Sequence, residues 1–330
     1  MQRIMIDNLK EITAPFAYTW EHVQGPGGNT SVKEGDTMVI KASGFTFLNI
    51  VEETGLIWIN CKKVMEYLAT SYKNLTLECE PAEVQNSIPE GLRPSMEFEF
   101  HAILDKYVLH THSVYLNVIL CSAQCEELLH TIFPDTPFVL IPAVLPGHPL
   151  AASIYENIKK GNAARVFFLK NHGVIIHGDS AENVLSLYRF LQEKVVTFLG
   201  ISMVDETPSK VDASSGTIAF SEVCADDREV AVNAIVENIL VPDQSIFFRN
   251  KVSDTDPAAE VYLDLKKKEI VINGSAKFTQ AATAMLRMVY FIRNNHKRLS
   301  LTSDFILEKE LQILHGLSSE KYRTSILKDK

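Results

Sequence analysis

The sequence predicts an α/β protein in two parts: a larger unit over residues 1–205, in which strands and helices alternate, and a smaller α+β unit over 217–330. Three observations carry this. Short apolar runs such as GLIWIN (Gly55–Asn60) and FVLI (Phe138–Ile141) alternate with segments of helical periodicity. The polar stretch DETPSKVDASSG, Asp205–Gly216, interrupts that alternation with Pro and Ser and reads as a boundary. A chain of 330 residues, 46% hydrophobic and 22% charged, has ample apolar material for a core and suits about two domains.

Charge and composition narrow the function. Acidic residues outnumber basic ones 41 to 32, a formal charge of -9, which argues against a nucleic-acid binder. The start, MQRIMIDNLK, lacks the apolar core of a signal peptide, and no run approaches the ~18 apolar residues of a membrane helix. The five cysteines, Cys61, Cys79, Cys121, Cys125 and Cys224, include no C-x-x-C pair and read as reduced thiols of a cytoplasmic protein.

In order along the chain, residues 4–20 read as an amphipathic helix ending near Trp20. Gly25–Ser31 (GPGGNTS) is a glycine-rich turn, either a plain connection or a place where backbone N–H groups converge on an anion. Asp36–Ala42 and Gly55–Asn60 are strands, Ser43-Gly44 a small-residue turn, and 62–71 a helix. Cys79–Arg93, broken by Pro81, Pro89 and Gly91, is an exposed loop. Tyr115–Cys121 leads into a helix carrying Glu126 and Glu127, and Phe138–Ile141 is a buried strand stopped by Pro142 and the loop Pro146–Pro149. Ala151–Lys160 is helical, Arg165–His177 forms two strands around KNHG, and Asp179 or Ser180 caps a helix to about Leu199. The second unit has a helix over Arg228–Leu240 and strands at Ser245–Arg249, Val261–Leu265 and Glu269–Asn273. Helices follow at about 278–294 and 303–315. Lys266–Lys268 is a solvated hairpin tip, and His296 and His315 have no partner at ligand spacing.

The chemistry concentrates in Pro94–His112, PSMEFEFHAILDKYVLHTH. Glu97 starts a helical run whose apolar positions are Met96, Phe100, Ile103 and Leu104. The strand Tyr107–Ser113 then places His110 and His112 on one face, because strand side chains alternate. Two adjacent imidazoles begin a tetrahedral metal site, and a catalytic zinc takes three protein ligands with one position open. The best third candidate is His172, in the KNHG turn. Neither G-x-G-x-x-G nor G-x-x-x-x-G-K-[ST] is present.

Four separated pieces then fall in order: GGNTSV, KASGF, PSMEFEFHAIL with LHTH, and LKNHGVIIHGD. Over about residues 5–200 the chain resembles the class II aldolase/adducin family, the zinc-dependent sugar-phosphate aldolases. Within it, IPAVLPGHPLA and LVPDQSIFF are similar to the aldolase-like module of rhamnulose-phosphate aldolase/dehydrogenase-type fusions, of which the dehydrogenase half is not in this sequence. The resemblance implies a three-layer α/β/α sandwich with a mostly antiparallel central sheet, and a homo-oligomer, a tetramer with active sites at subunit borders. It assigns zinc, or another divalent metal, to His110, His112 and His172, and the catalytic carboxylate to Glu97. The phosphate-binding groups fall on Asn29, Ser43, Gly44 and Ser95. Met96 stands where the aldolases often carry a second hydroxyl, and it cannot donate a hydrogen bond. The gap from Glu97 to His110 is also several residues shorter than in fuculose-phosphate aldolase, and the family's tyrosine proton donor has no clear counterpart. The expected activity is cleavage or formation of a C–C bond in a phosphorylated ketose or related hydroxy-carbonyl compound through a stabilised enolate. The alternatives are sugar-phosphate epimerisation or dehydration on the same scaffold, or an adducin-like interaction module. The expected partner is a small sugar-phosphate-like substrate, with neither nucleic acid nor membrane.

Overall fold

A computed structural model describes residues 1–74, 89–201, 216–219, 235 and 238–328. Its centre is a sheet of seven strands: β1 (Asn29–Glu34), β2 (Thr37–Lys41), β3 (Leu56–Asn60), β4 (Tyr107–Thr111), β5 (Val139–Ile141), β6 (Val166–Leu169) and β7 (Gly173–Gly178). They lie in the order β3-β2-β1-β4-β7-β6-β5. Every neighbouring pair is antiparallel except β5 and β6, which are joined by a helical crossover as parallel strands require.

Alternation along the strands divides the apolar residues between two faces. Val39, Leu109, Val174 and Ile176 face a core closed by α1 (Gln2–Thr13), α2 (Phe47–Val51), α5 (Val114–Leu120), α6 (Cys125–Ile132) and α8 (Ala181–Leu199). Ile40, Val108, Phe167 and Ile175 face a second core. That core is closed by α3 (Cys61–Ser71), α4 (Phe98–Ile103) and α7 (His148–Lys159). Helices on both faces of a mostly antiparallel sheet make the three-layer α/β/α sandwich. Ser180 caps α8 through its hydroxyl, as its position in the sequence predicts. Lys33 of β1 reaches under the sheet and donates to the carbonyls of His101 (2.6 Å), Ala102 (3.3 Å) and Leu104. It therefore satisfies the C-terminal end of α4, and burial lowers its pKa to about 8.

A smaller sheet of β8 (Thr217–Ala219), β9 (Val252–Ser253), β10 (Val261–Asp264) and β11 (Glu269–Ile272) runs in the order β8-β11-β10-β9. Beside it are α9 (Pro242–Phe248), α10 (Ala276–Leu299), α11 (Glu308–Gly316) and α12 (Ser318–Lys328). Phe247, Met285, Leu286 and Val289 belong to the same apolar cluster as Leu116, Val118 and Leu120 of α5. His296 fastens this contact, donating from Nε2 to the Val118 carbonyl at 2.8 Å while Nδ1 faces the Ser303 hydroxyl at 2.7 Å.

Several expectations change. The opening helix stops at Thr13 because Pro15 follows, and a 3-10 turn covers Ala14–Phe16. Asn29–Ser31 belongs to strand β1 rather than to a turn. The loop before Ala151 is shorter than expected, since α7 already begins at His148. Ser245–Arg249 is no strand: Pro242 at the first helical positions and Asp243 in the first turn start α9 there instead. The last helices are Glu308–Gly316 and the unanticipated Ser318–Lys328. Most of the loop Cys79–Arg93, most of the boundary Asp205–Gly216 and most of the helix Arg228–Leu240 lie outside the described residues, as do Cys79 and Cys224. Lys266–Lys268 forms an exposed turn between β10 and β11.

Candidate metal centre and active-site pocket

The end of β4, the turn after β6 and the start of α4 meet at one point. His110, in β4, donates from Nδ1 to the Val174 carbonyl of β7 at 3.1 Å, because a carbonyl can only accept. Its Nε2 therefore carries the lone pair. His112 lies one residue past the strand, tied by its backbone N–H to the His22 carbonyl at 2.9 Å. His172 sits in the β6–β7 turn. Asn171, in the left-handed conformation at φ 57°, pins that turn through its side chain to the carbonyls of Leu240 (3.0 Å) and Asp304 (2.9 Å). Gly173 is required next to it. A Cβ there would lie 2.2 Å from the Thr111 carbonyl and 3.2 Å from the His112 ring.

The three imidazoles are buried, their candidate ligand atoms all within 4.8 Å of one another and their ring centroids 4.9, 4.9 and 5.0 Å apart. Burial pushes His112 and His172 down to about 3, against the opposing pull of nearby carboxylates. They are neutral at ordinary pH, the form in which imidazole binds a metal. The donor set fits a divalent cation.

Glu97 stands beside them, 5% exposed, at the N-cap of α4. Its Oε2 accepts from the Asn29 amide at 2.7 Å and lies 3.4 Å from His110 Nε2. Its Oε1 lies 3.6 Å from His172 Nε2 and has no hydrogen-bond partner among the described residues. Asn29 also donates to Ser95 Oγ at 3.0 Å and accepts from His101 Nε2, whose Nδ1 then accepts from the Ser31 hydroxyl at 2.7 Å. The chain Ser31–His101–Asn29 thus fixes which oxygen of Glu97 is engaged. Ser31 falls in the segment expected to be a plain or anion-binding turn, not in a relay, and His101 has no signal in the sequence.

The pocket in front of these groups, about 440 Å³ including its open mouth, is lined by Asn29, Ser43, Gly44, Ser95, Glu97, His112 and His172. All four residues expected to bind phosphate therefore reach the same cavity as the carboxylate and two of the imidazoles. Met96 lines it too, and no tyrosine among the described residues does. Lys41, 1% exposed, braces the floor by donating to the carbonyls of Pro26 (2.7 Å) and Phe45 (2.6 Å). It ties the glycine-rich turn to the Ser43-Gly44 turn, and burial lowers its pKa to about 7.

The far wall comes from the C-terminal part of the chain, which sequence reasoning had not connected with the site. Asp243, in the first turn of α9, and Ser319, Glu320 and Arg323 of α12 complete the pocket. Arg323 donates to Asp243 Oδ1 at 2.6 Å and to Glu320 Oε2 at 2.9 Å. Burial raises the Asp243 carboxyl, but the Arg323 charge outweighs it and holds the group at about 2. Burial raises Glu320 to about 7 against the opposing pull of Arg323.

The model of the Class II Aldolase and Adducin N-terminal domain family matches residues 13–196. The chain belongs to the class II aldolase and adducin family. The matched span contains Glu97, the histidine trio and every residue expected to bind phosphate, and it ends before Asp243 and Arg323. No curated protein matches the chain. Among solved structures, the N-terminal Class II Aldolase domain of a conserved protein from Thermoplasma acidophilum is 22% identical. The match covers 59% of this chain and 93% of that one, with a TM-score of 0.49. A putative aldolase/epimerase/decarboxylase from Klebsiella pneumoniae is 17% identical over 64% of this chain and 96% of its own, TM-score 0.44. An L-fuculose 1-phosphate aldolase is 17% identical over 62% and 91%, TM-score 0.40. No helix among the described residues is long and apolar enough to cross a membrane.

Proposed function

We propose that this protein is a metal-dependent, aldolase-type lyase that cleaves or forms a C–C bond in a phosphorylated ketose or related hydroxy-carbonyl compound. His110, His112 and His172 hold zinc or another divalent metal, and Glu97 is the acid/base. The observation that carries this is Glu97 Oε1, a buried carboxylate oxygen with no hydrogen-bond partner among the described residues, 3.6 Å from His172 Nε2. Family membership alone does not select it, since the family includes adducin domains.

A metal held by three neutral imidazoles keeps its full charge and supplies Lewis-acid stabilisation to the oxyanion of an enolate. The side chains do the rest. The Asn29 amide engages Oε2 of Glu97 and leaves Oε1 to take a proton from the substrate's hydroxyl and return it to carbon. Ser43, Gly44 and Ser95 hold the remote phosphate, whose binding energy sets the reacting carbons against Glu97, while Asn29, its two amide hydrogens given to Glu97 and Ser95, steadies both groups. Met96 brings no donor, so the anionic end is held by fewer hydroxyls than the aldolase pattern provides. The larger unit, residues 1–205, carries this chemistry, and the protein works as a cytoplasmic homo-oligomer. The buried free thiols Cys61, Cys121 and Cys125 agree with a reducing compartment.

The test is product analysis with zinc-loaded protein and a panel of phosphorylated ketoses. Two carbonyl fragments from one substrate support the reading. A product that keeps all its carbons, inverted or dehydrated, would replace it with an epimerase or dehydratase.

A further inference from the structure

The outer ring nitrogen of His112 points away from the trio toward Asp243. Nδ1 of His112 lies 3.7 Å from Asp243 Oδ2, and that oxygen is buried without a hydrogen-bond partner among the described residues. Nothing bulky stands between: Gly27 fills the gap, and a Cβ there would lie 2.9 Å from His112 Nδ1 and 3.1 Å from Asp243 Oδ2.

The two tautomers of His112 have different consequences. His110 Nε2 carries a lone pair and lies 3.1 Å from His112 Nε2. With its proton on Nε2, His112 donates to His110, its Nδ1 lone pair faces the carboxylate, and Asp243 Oδ2 gets no donor. With the proton on Nδ1, both Nε2 atoms present lone pairs to one point, as a shared cation requires. Asp243 Oδ2 then gains its donor after a movement of less than about 1 Å.

We propose that Asp243 is a positioning residue that holds His112 in its Nδ1–H tautomer and so selects the cation-binding arrangement of the trio. The inference rests on the metal reading above. Arg323 keeps the carboxylate in place through its 2.6 Å bond to Oδ1, leaving Oδ2 for the imidazole. The larger unit supplies the ligands, and the C-terminal part supplies the group that decides which nitrogen of His112 is free.

Two measurements test it, neither needing a substrate. The first is zinc affinity, by competition with a chelator, of the unmutated chain and of Asp243→Ala and Asp243→Asn. The expected loss is about 10- to 100-fold for Ala and less for Asn, which keeps an acceptor oxygen. The second uses the unmutated protein loaded with zinc, so a folding defect cannot mislead: nitrogen-15 NMR of the His112 ring should show the proton on Nδ1 and ligation through Nε2. Ligation through Nδ1, or wild-type zinc affinity in both variants, overturns the proposal. Failure of the unmutated chain to take up zinc overturns the metal reading beneath it, which keeps the two failures distinct.

Discussion

The two walls of the pocket are held by different means. His110 and His172 are held by backbone: one sits in a strand bonded on both sides, the other in a two-strand turn with a left-handed residue. Glu97 stands at the start of a helix whose other end is fastened by Lys33. Asp243 and Arg323 lie on separate helices and meet through their side chains. The sheet wall thus fixes positions through many backbone hydrogen bonds, whereas the two helices of the C-terminal wall are tied to each other at the pocket by the buried Asp243–Arg323 pair, with Glu320 as a second partner of Arg323. The first should tolerate loss of a side chain without losing its shape. The second should not.

The largest effect is expected at the sheet wall, in rate rather than stability. Glu97→Gln should lower C–C cleavage by roughly 10²- to 10⁴-fold while zinc content stays unchanged, read by steady-state assay beside elemental analysis. Undiminished cleavage would remove Glu97 from the chemistry. The next effect is at the other wall. Arg323→Gln leaves Asp243 buried without its cation and should cost roughly 3–5 kcal/mol of stability by urea unfolding. A cost under about 1 kcal/mol would show that the wall does not depend on this pair.

Acid tests the packing behind the sheet wall. Burial lowers His22, whose Nδ1 lies 2.7 Å from the Tyr188 hydroxyl, from 6.5 to about 4. Between those values the unfolded chain binds the proton that the folded one excludes. This contribution is therefore present above pH 6.5 and is lost as pH falls toward 4, a span of roughly 3 kcal/mol. Thermal midpoints of His22→Gln should fall less steeply than wild type across that window; parallel curves would contradict it.

Smaller again is Gly173→Ala. Its Cβ would stand 2.2 Å from the Thr111 carbonyl, forcing β4 and β7 apart at an expected cost of about 1–3 kcal/mol, with weakened zinc binding. Unchanged unfolding would mean that the turn yields more easily than its bonding implies. Lys267→Ala, at the exposed tip between β10 and β11, is the control and should change stability by less than about 0.5 kcal/mol.

The same contrast decides what could be read from sequence. Strand alternation brought His110 and His112 to one face, and the KNHG turn between two apolar runs gave His172, because these rules operate over a few residues. The sandwich and its sheet followed from family resemblance, and the strands other than β1, β8 and β9 were visible as apolar runs. The relay Ser31–His101–Asn29 joins β1 to α4 across 70 and 72 residues of sequence, so no local pattern could reveal it. Asp243 escapes notice because the apolar SIFF that follows it reads as a strand, whereas it belongs to α9. Val-Pro-Asp, with proline at the first helical position and an acid in the first turn, was the available sign of a helix start.

If His110, His112, His172 and Glu97 form a metal-dependent catalytic site, bound metal depends on the imidazoles. Elemental mass spectrometry of the unmutated chain beside His110→Ala, each before and after adding zinc, tests it most directly. About one zinc per chain, lost in the variant, is the expected result. No metal in the unmutated chain and none taken up on adding zinc, or equal zinc in both proteins, would contradict it.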